Sequence, residues 1–324
     1  DGGLIWTASP SEPWDQMAPA PQGTWGDIFP PRLLRVNGVL TLVTMPVWIS
    51  PPTLFVSQDL GQSWVQRDLP APAGCAGFRA GQLLQTPASP DRLVLTGWCR
   101  NSTTRDEPIL VASNDAGLTW IVLDSWVSGE PTWINDYVTS ATDGELLYRR
   151  QGANWQRSRD LATTWENLSI PGERLIISPN NADVIAVVGP WFDEGSTSLD
   201  GGRTWRRWRN LPCGLSDSVA PIWLRGQTET LLAACLGGGL QGQPVIRSHD
   251  GGQTWESVPL PLSEQRGEML PLPAGELTFL VADDGHANGL YIVTEATFEP
   301  LTYKLHRSLD AGDTWQDVLA FGWP

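Results

Sequence analysis

Ser248-His249-Asp250-Gly251-Gly252-Gln253-Thr254-Trp255 is one of six near-copies of a single eight-residue phrase. The others run Ser57–Trp64, Ser113–Trp120, Ser158–Trp165, Ser198–Trp205 and Ser308–Trp315. All follow Ser-x-Asp-x-Gly-x-Thr-Trp, except that Ser63 replaces Thr in the first copy and Ala162 replaces Gly in the third. The residue types describe a turn. Glycine accepts the positive φ of a tight turn. The Asp carboxylate can accept backbone and hydroxyl hydrogen bonds inside it, and the Trp buries a large ring between neighbouring strands. Asp59, Asp115, Asp160, Asp200, Asp250 and Asp310 are therefore expected to hold structure and not ligand. Ala162 predicts a third turn that is strained or of another type.

The closing tryptophans stand at 64, 120, 165, 205, 255 and 315, giving steps of 56, 45, 40, 50 and 60 residues. A period in that range, with about four short strands per unit, is what a propeller blade needs. The first unit parses as Leu33–Val36, an Asn37-Gly38 turn, Val39–Thr44, Thr53–Val56, the phrase, then Trp64–Asp68. Asn-Gly between two β-rich runs is a hairpin signal. The fifth parses as Ala220–Leu224, Thr230–Ala234, Pro244–Arg247 and Trp255–Pro259. The expected fold is all-β, a single β-propeller of four-stranded antiparallel blades filling residues 1–324. Six blades are expected, with Leu4–Met17 adding to the last blade or sealing the ring. Asp1-Gly2-Gly3-Leu4-Ile5-Trp6 reads like the tail of another copy, which makes seven the alternative.

The phrase resembles the Asp-box, or BNR repeat, of sialidases and other Asp-box propellers. In that superfamily the boxes lie on the hairpin between the third and fourth strands, away from the active-site face. The sialidase catalytic pattern is not matched. Its first inner strand opens on Arg-Ile-Pro, whereas here Phe29 precedes Pro30 and Pro31. The four tyrosines (137, 148, 291 and 303) stand in no recognisable nucleophile context. Two further resemblances carry different implications. Xyloglucan-active Asp-box glycosidases pair two propellers around a cleft. Photosystem II assembly factors are single Asp-box propellers, and recognition of a protein partner would be read there as basic patches, which this sequence does not obviously offer.

Composition narrows the partners. Asp plus Glu number 36 against 21 Lys plus Arg, a net charge of −15, which argues against nucleic acid or an anionic membrane. No 18-residue apolar run suggests a membrane span. No leader precedes Asp1, so any signal peptide is expected to have been removed or never present. With three histidines and no Cys-x-x-Cys, neither a metal nor any other cofactor is expected. Cys75 and Cys99 are 24 residues apart, Cys213 and Cys235 22, at matching places in two repeats. Two disulfides are expected, and with them an extracytoplasmic or secreted monomer. Four buried thiols are the alternative.

The loops at the end of each blade opposite the box form the expected ligand face. They are read as Pro21–Phe29, Pro70–Phe78, Trp126–Tyr137, Pro212–Ser218 and Ser263–Glu268, with Val47–Pro52, Cys99–Pro108, Gly189–Gly195, Leu236–Gly242 and Asp283–Gly289. Aromatic platforms beside carboxylates suit sugar rings, and two carboxylates at the right separation permit glycoside hydrolysis. Trp25, Trp133, Tyr137, Trp191, Glu130 and Asp193 are the expected ligand contacts, with Asp27 and Asp136 as the acid and its partner if hydrolysis occurs. The functional expectation is recognition of a neutral saccharide, with or without its hydrolysis. The competing expectation is a non-catalytic scaffold that binds another protein.

Overall fold

The structure is a computed structural model. It describes residues 32–36, 39–44, 53–59, 62–69, 75, 77–85, 89, 92–100, 106–115, 117–125, 137–139, 142–151, 154–189, 194–215, 221–235, 245–259, 277–282, 286–298 and 301–322. The chain divides into two compact units, Thr7–Leu168 and Asp1–Trp6 with Ser169–Pro324. Within the first, blade 1 comprises β1 (Arg32–Val36), β2 (Val39–Thr44), β3 (Thr53–Ser57) and β4 (Val65–Asp68). Blade 2 comprises β5 (Gly77–Gln85), β6 (Leu93–Arg100), β7 (Asp106–Ser113) and β8 (Ile121–Ser125). Blade 3 comprises β9 (Tyr137–Thr139), β10 (Leu147–Gln151), β11 (Asn154–Ser158) and β12 (Glu166–Leu168).

The second unit continues the pattern. Blade 4 holds β13 (Arg174–Ile177), β14 (Ile185–Val188), β15 (Gly195–Ser198) and β16 (Arg206–Arg207). Blade 5 holds β17 (Ile222–Trp223), β18 (Leu231–Ala234), β19 (Val245–Ser248) and β20 (Glu256–Ser257). Blade 6 holds β21 (Leu277–Ala282), β22 (Leu290–Phe298), β23 (Leu301–Ser308) and β24 (Gln316–Gly322). Every sheet is antiparallel with its strands in chain order, and the box always joins the third to the fourth. The six sheets are those of the described residues; Asp1–Trp6, on which a seventh rests, lies outside them.

The second strands β14 (Ile185–Val188) and β18 (Leu231–Ala234) are apolar and buried throughout because both faces are covered. In β18 Leu231 and Ala233 join the cluster shared with blade 4, while Leu232 and Ala234 face the cluster shared with blade 6. Leu93 and Leu95 against Val94 divide in the same way between blades 1 and 3. The two-residue side-chain period sends alternate residues to opposite neighbours, and each buried Leu or Val contributes roughly 1.5–3 kcal/mol.

Two sequence expectations need correction. The outer strand of blade 5 is Glu256–Ser257 and not Trp255–Pro259, because Trp255 still closes the box turn. His286–Gly289, the described part of the stretch read as Asp283–Gly289, precedes β22 in the connection from β21, so it lies at the box end. There the Ala311 amide donates to the Asn288 carbonyl at 2.9 Å.

The fifth and sixth boxes are turns and also joints to the preceding blade. In the fifth, the Gly252 amide donates to Ser248 Oγ (2.7 Å), and Asp250 Oδ1 accepts the amides of Gln253 and Thr254 (2.8 and 2.9 Å). Asp250 Oδ2 accepts the Thr254 hydroxyl at 2.6 Å. Thr197 of blade 4 then donates to the Gly251 carbonyl (2.8 Å), and Arg247 of blade 5 to the Ala311 carbonyl of the next box (2.8 Å). Trp315 reaches back to the Pro259 carbonyl at 2.7 Å.

The third box makes the same turn. The Ala162 amide donates to Ser158 Oγ at 2.8 Å, and Leu161 and Ala162 hold φ of 52° and 67°. Strain is the outcome, at about 1–2 kcal/mol per left-handed residue. Alanine is not transferable to the fifth box. Gly252 has φ 93°, and an added Cβ there would come within 2.2 Å of the Trp208 ring. Gly252→Ala is expected to destabilise the protein by about 3 kcal/mol, from overpacking and backbone strain together. Urea unfolding checks this; a loss below about 1 kcal/mol would contradict the close Trp208–Gly252 contact.

Candidate functional site

The end of each blade opposite its box is where the second strand turns into the third and where the chain arrives from the preceding blade. Both disulfides sit there. Cys75, just before β5, bonds Cys99 in β6, with 5.2 Å between Cα atoms. Cys213, which follows β16, bonds Cys235 just after β18, with 5.7 Å between Cα atoms. Leu215 and Cys235 form an antiparallel bridge at the second staple. Phe78, the end of the Pro70–Phe78 loop placed above on the ligand face, is buried in the core beside Cys75 and Cys99.

Of the expected ligand contacts, Tyr137 opens β9, its backbone paired in register with Arg149. Trp25, Asp27, Glu130, Trp133, Asp136, Trp191 and Asp193 lie outside the described residues. Among the described residues, no cluster of His, Cys, Asp or Glu is arranged to hold a metal ion. Nor is any helix long and apolar enough to cross a membrane.

What the described residues do present is a cationic edge on blade 4. Arg203, Arg206, Arg207 and Arg209 are all exposed within seven residues, running from the box along β16 and just past it. Arg206 pairs with Glu229 at 2.7 Å, and Arg207 pairs with Glu194. The intervening aromatics turn inward. Trp208 is buried, donates to Thr197 Oγ1 at 2.8 Å and meets Trp255 edge-on with centroids 5.3 Å apart. Two backbone groups along this edge already have partners. The Arg209 amide donates to the Gly252 carbonyl (3.0 Å) and Gln253 Nε2 to the Arg207 carbonyl (3.1 Å). This is a basic patch that the sequence did not obviously offer. The signal was Arg-Thr-Trp-Arg-Arg-Trp-Arg at 203–209, masked by a net charge of −15.

A second arrangement that sequence reasoning missed joins blades 2 and 3. Asp124 of β8 pairs with Arg149 of β10 and accepts the Trp165 indole N–H at 2.9 Å. The Arg149 guanidinium also lies 3.9 Å from the Trp165 ring centroid. Both charged side chains are mostly buried, at 11% and 19% exposure, which makes the cluster a structural clasp. Asp124→Ala would remove the carboxylate from a guanidinium that keeps neutral support from Gln156 Oε1 (2.7 Å) in this cluster, and the acceptor of the Trp165 indole N–H, at an expected cost of about 3 kcal/mol. Asp124→Asn, which keeps an acceptor, should cost less. Equal losses in denaturant titration would contradict the clasp.

The BNR/Asp-box repeat family matches residues 246–257, which span the fifth box. The six four-stranded sheets of the described residues and the likeness to solved structures give the chain a β-propeller fold, which carries a BNR/Asp-box repeat at residues 246–257. No curated protein matches it in sequence. Among solved structures it is similar to YCF48 from Cyanidioschyzon merolae, with a TM-score of 0.56 and 13% identity over 92% of this chain and 86% of that one. A YCF48 bound to a D1 peptide gives a TM-score of 0.51 and 18% identity, over 92% of this chain and 86% of that one. An oligogalacturonate lyase in complex with manganese gives 0.51 and 12%, over 91% of this chain and 74% of that one. At such identities the likeness is one of fold.

Proposed function

We propose that this propeller is an extracytoplasmic binding protein that recognises an acidic segment of another protein at the cationic edge of blade 4. The observation that carries the reading is the exposure of Arg203, Arg206, Arg207 and Arg209 within seven residues of one edge in a chain of net charge −15. Guanidinium groups recognise carboxylates by paired N–H donors, and screening over about 8 Å in physiological salt lets this local patch outweigh the distant negative charge. The YCF48 that holds a D1 peptide supports a peptide-binding use of the fold. The two disulfides support an oxidising compartment.

The test is fluorescence anisotropy with a labelled, acetylated octaglutamate peptide. Binding should weaken steeply with salt and fall at least tenfold in an Arg206→Gln/Arg207→Gln/Arg209→Gln variant. Absence of binding at low salt, or binding indifferent to the three substitutions, overturns the reading.

The saccharide reading stands second, supported by the aromatic residues and carboxylates that the sequence places in the loops opposite the boxes. In it Trp25, Trp133, Tyr137 and Trp191 stack on a neutral sugar, Glu130 and Asp193 contact its hydroxyls, and Asp27 and Asp136 supply any acid and base. Calorimetric titration of a saccharide panel against wild type, Trp25→Ala and Trp133→Ala tests it. Binding unweakened by both substitutions counts against this site.

A further inference from the structure

We propose that Glu194 and Glu229 are built-in competitors for the cationic edge, occupying guanidinium groups that a partner's carboxylates must take over. The inference rests on the partner-binding reading above. Each glutamate engages one arginine of the edge, Glu229 with Arg206 and Glu194 with Arg207. Both are delivered by backbone that is itself fixed. Glu194 closes the connection between β14 and β15, where its carbonyl accepts the Gly189 amide at 3.0 Å. Its side chain lies across Gly189 so closely that an added Cβ there would stand 2.8 Å from Glu194 Cγ. Glu229 sits before β18 in blade 5, and its carbonyl accepts the Gly251 amide at 2.9 Å. One carboxylate therefore approaches the edge from the box end and the other from the opposite end.

The pairs are suited to exchange. The Arg207 and Glu194 side chains are 74% and 45% exposed, those of Arg206 and Glu229 44% and 34%. Ion pairs this open to solvent are held weakly, so an incoming carboxylate can replace them at little cost. Strand addition is disfavoured because the Arg207 carbonyl and the Arg209 amide already have partners. What remains for recognition is side-chain charge. Arg203 and Arg209 stand exposed on either side of the paired arginines as first points of contact. An acidic peptide fits this geometry. A nucleic acid would carry many phosphates past the edge into the field of a −15 protein.

The experiment measures octaglutamate affinity for the full chain by anisotropy. Glu194→Gln and Glu229→Gln should each tighten binding about two- to fivefold, the factor that an exposed ion pair is worth, and the double variant should combine the two. Glu145→Gln, which removes an exposed carboxylate in blade 3 before β10, serves as the control for net charge and should change affinity less. If the two variants leave affinity unchanged, or match the control, while Arg207→Gln still weakens binding, the competitor role is wrong and the partner-binding reading survives. If neither wild type nor the Glu194→Gln/Glu229→Gln variant binds, although both keep wild-type thermal unfolding, both ideas fall.

Discussion

Replacing all four cysteines with serine is expected to remove about 6 kcal/mol of stability, enough to leave the chain largely unfolded at 37 °C. The two staples close segments of 24 and 22 residues, and loop-closure entropy assigns about 3 kcal/mol to each. A folded domain has only about 5–15 kcal/mol in total. Packing adds to the loss. Cys75 and Cys99 lie against the cluster between blades 1 and 2, and Cys235 is buried with Trp208 and Trp223 between blades 4 and 5. One staple belongs to each compact unit, so Cys75→Ser/Cys99→Ser should chiefly loosen residues 7–168 and Cys213→Ser/Cys235→Ser residues 169–324. Urea unfolding of the two double variants, with hydrogen exchange to locate the loss, checks both statements. Losses below about 1 kcal/mol each, or peptide mapping without reduction that finds free thiols or cross-pairing, would contradict them.

Much of the fold is legible in the boxes because a turn that uses side chains to satisfy its own backbone must spell those side chains out. Ser, Asp and Thr at fixed offsets are the hydrogen-bonding groups themselves, so the phrase and the turn are nearly the same information. Strand ends were less legible. Trp255 has strand chemistry but still closes the box turn. Blade 6 was misread because β22 and β23 extend through Thr294–Phe298 and Leu301–Tyr303, so the polar stretch Asp283–Gly289 looked like the longer loop of the opposite end. Asp124 and Arg149 gave no local sign, since their partnership spans 25 residues and depends on two blades meeting. The cationic edge failed for the opposite reason. Its four arginines are adjacent in sequence, but a whole-chain charge averages them away. A local charge window would have found them, although not the glutamates that neutralise two of them.

Acidification below pH 4 should unfold the protein cooperatively, with a steepness set by the six boxes. All six box aspartates titrate below the ordinary carboxylate range. For Asp59 the Ser63 hydroxyl is the largest cause, followed by the Ser63 amide and the Ser57 hydroxyl, and the value falls to about 2. For Asp250 partial burial pushes upward, but the Thr254 hydroxyl and amide and the Ser248 hydroxyl overcome it and again bring the value to about 2. A group whose folded pKa is depressed contributes stability that is present above its unfolded pKa and lost as pH falls through the folded one. The window here is therefore from about pH 4 down to about pH 2, where the unfolded chain binds protons that the intact boxes refuse. His306 acts earlier in the same direction. Burial lowers its pKa against the opposing pull of Asp317, so the unfolded chain takes up its proton first as pH drops below the ordinary histidine value. Stability is accordingly greatest near neutrality, falls modestly through pH 6 and collapses below pH 4. The number of protons bound on unfolding, read from the slope of log K against pH between 4 and 2.5, should exceed one, with the strongly depressed Asp59, Asp200 and Asp250 as its largest contributors. Asp250→Asn should reduce that slope by about one while lowering stability at pH 7, because the neutral amide keeps one acceptor but loses the charge that held Thr254 and the two turn amides. A slope near one in the wild type, or a slope unaltered in Asp250→Asn, would show that the box carboxylates are not what fixes the acid limit of this fold.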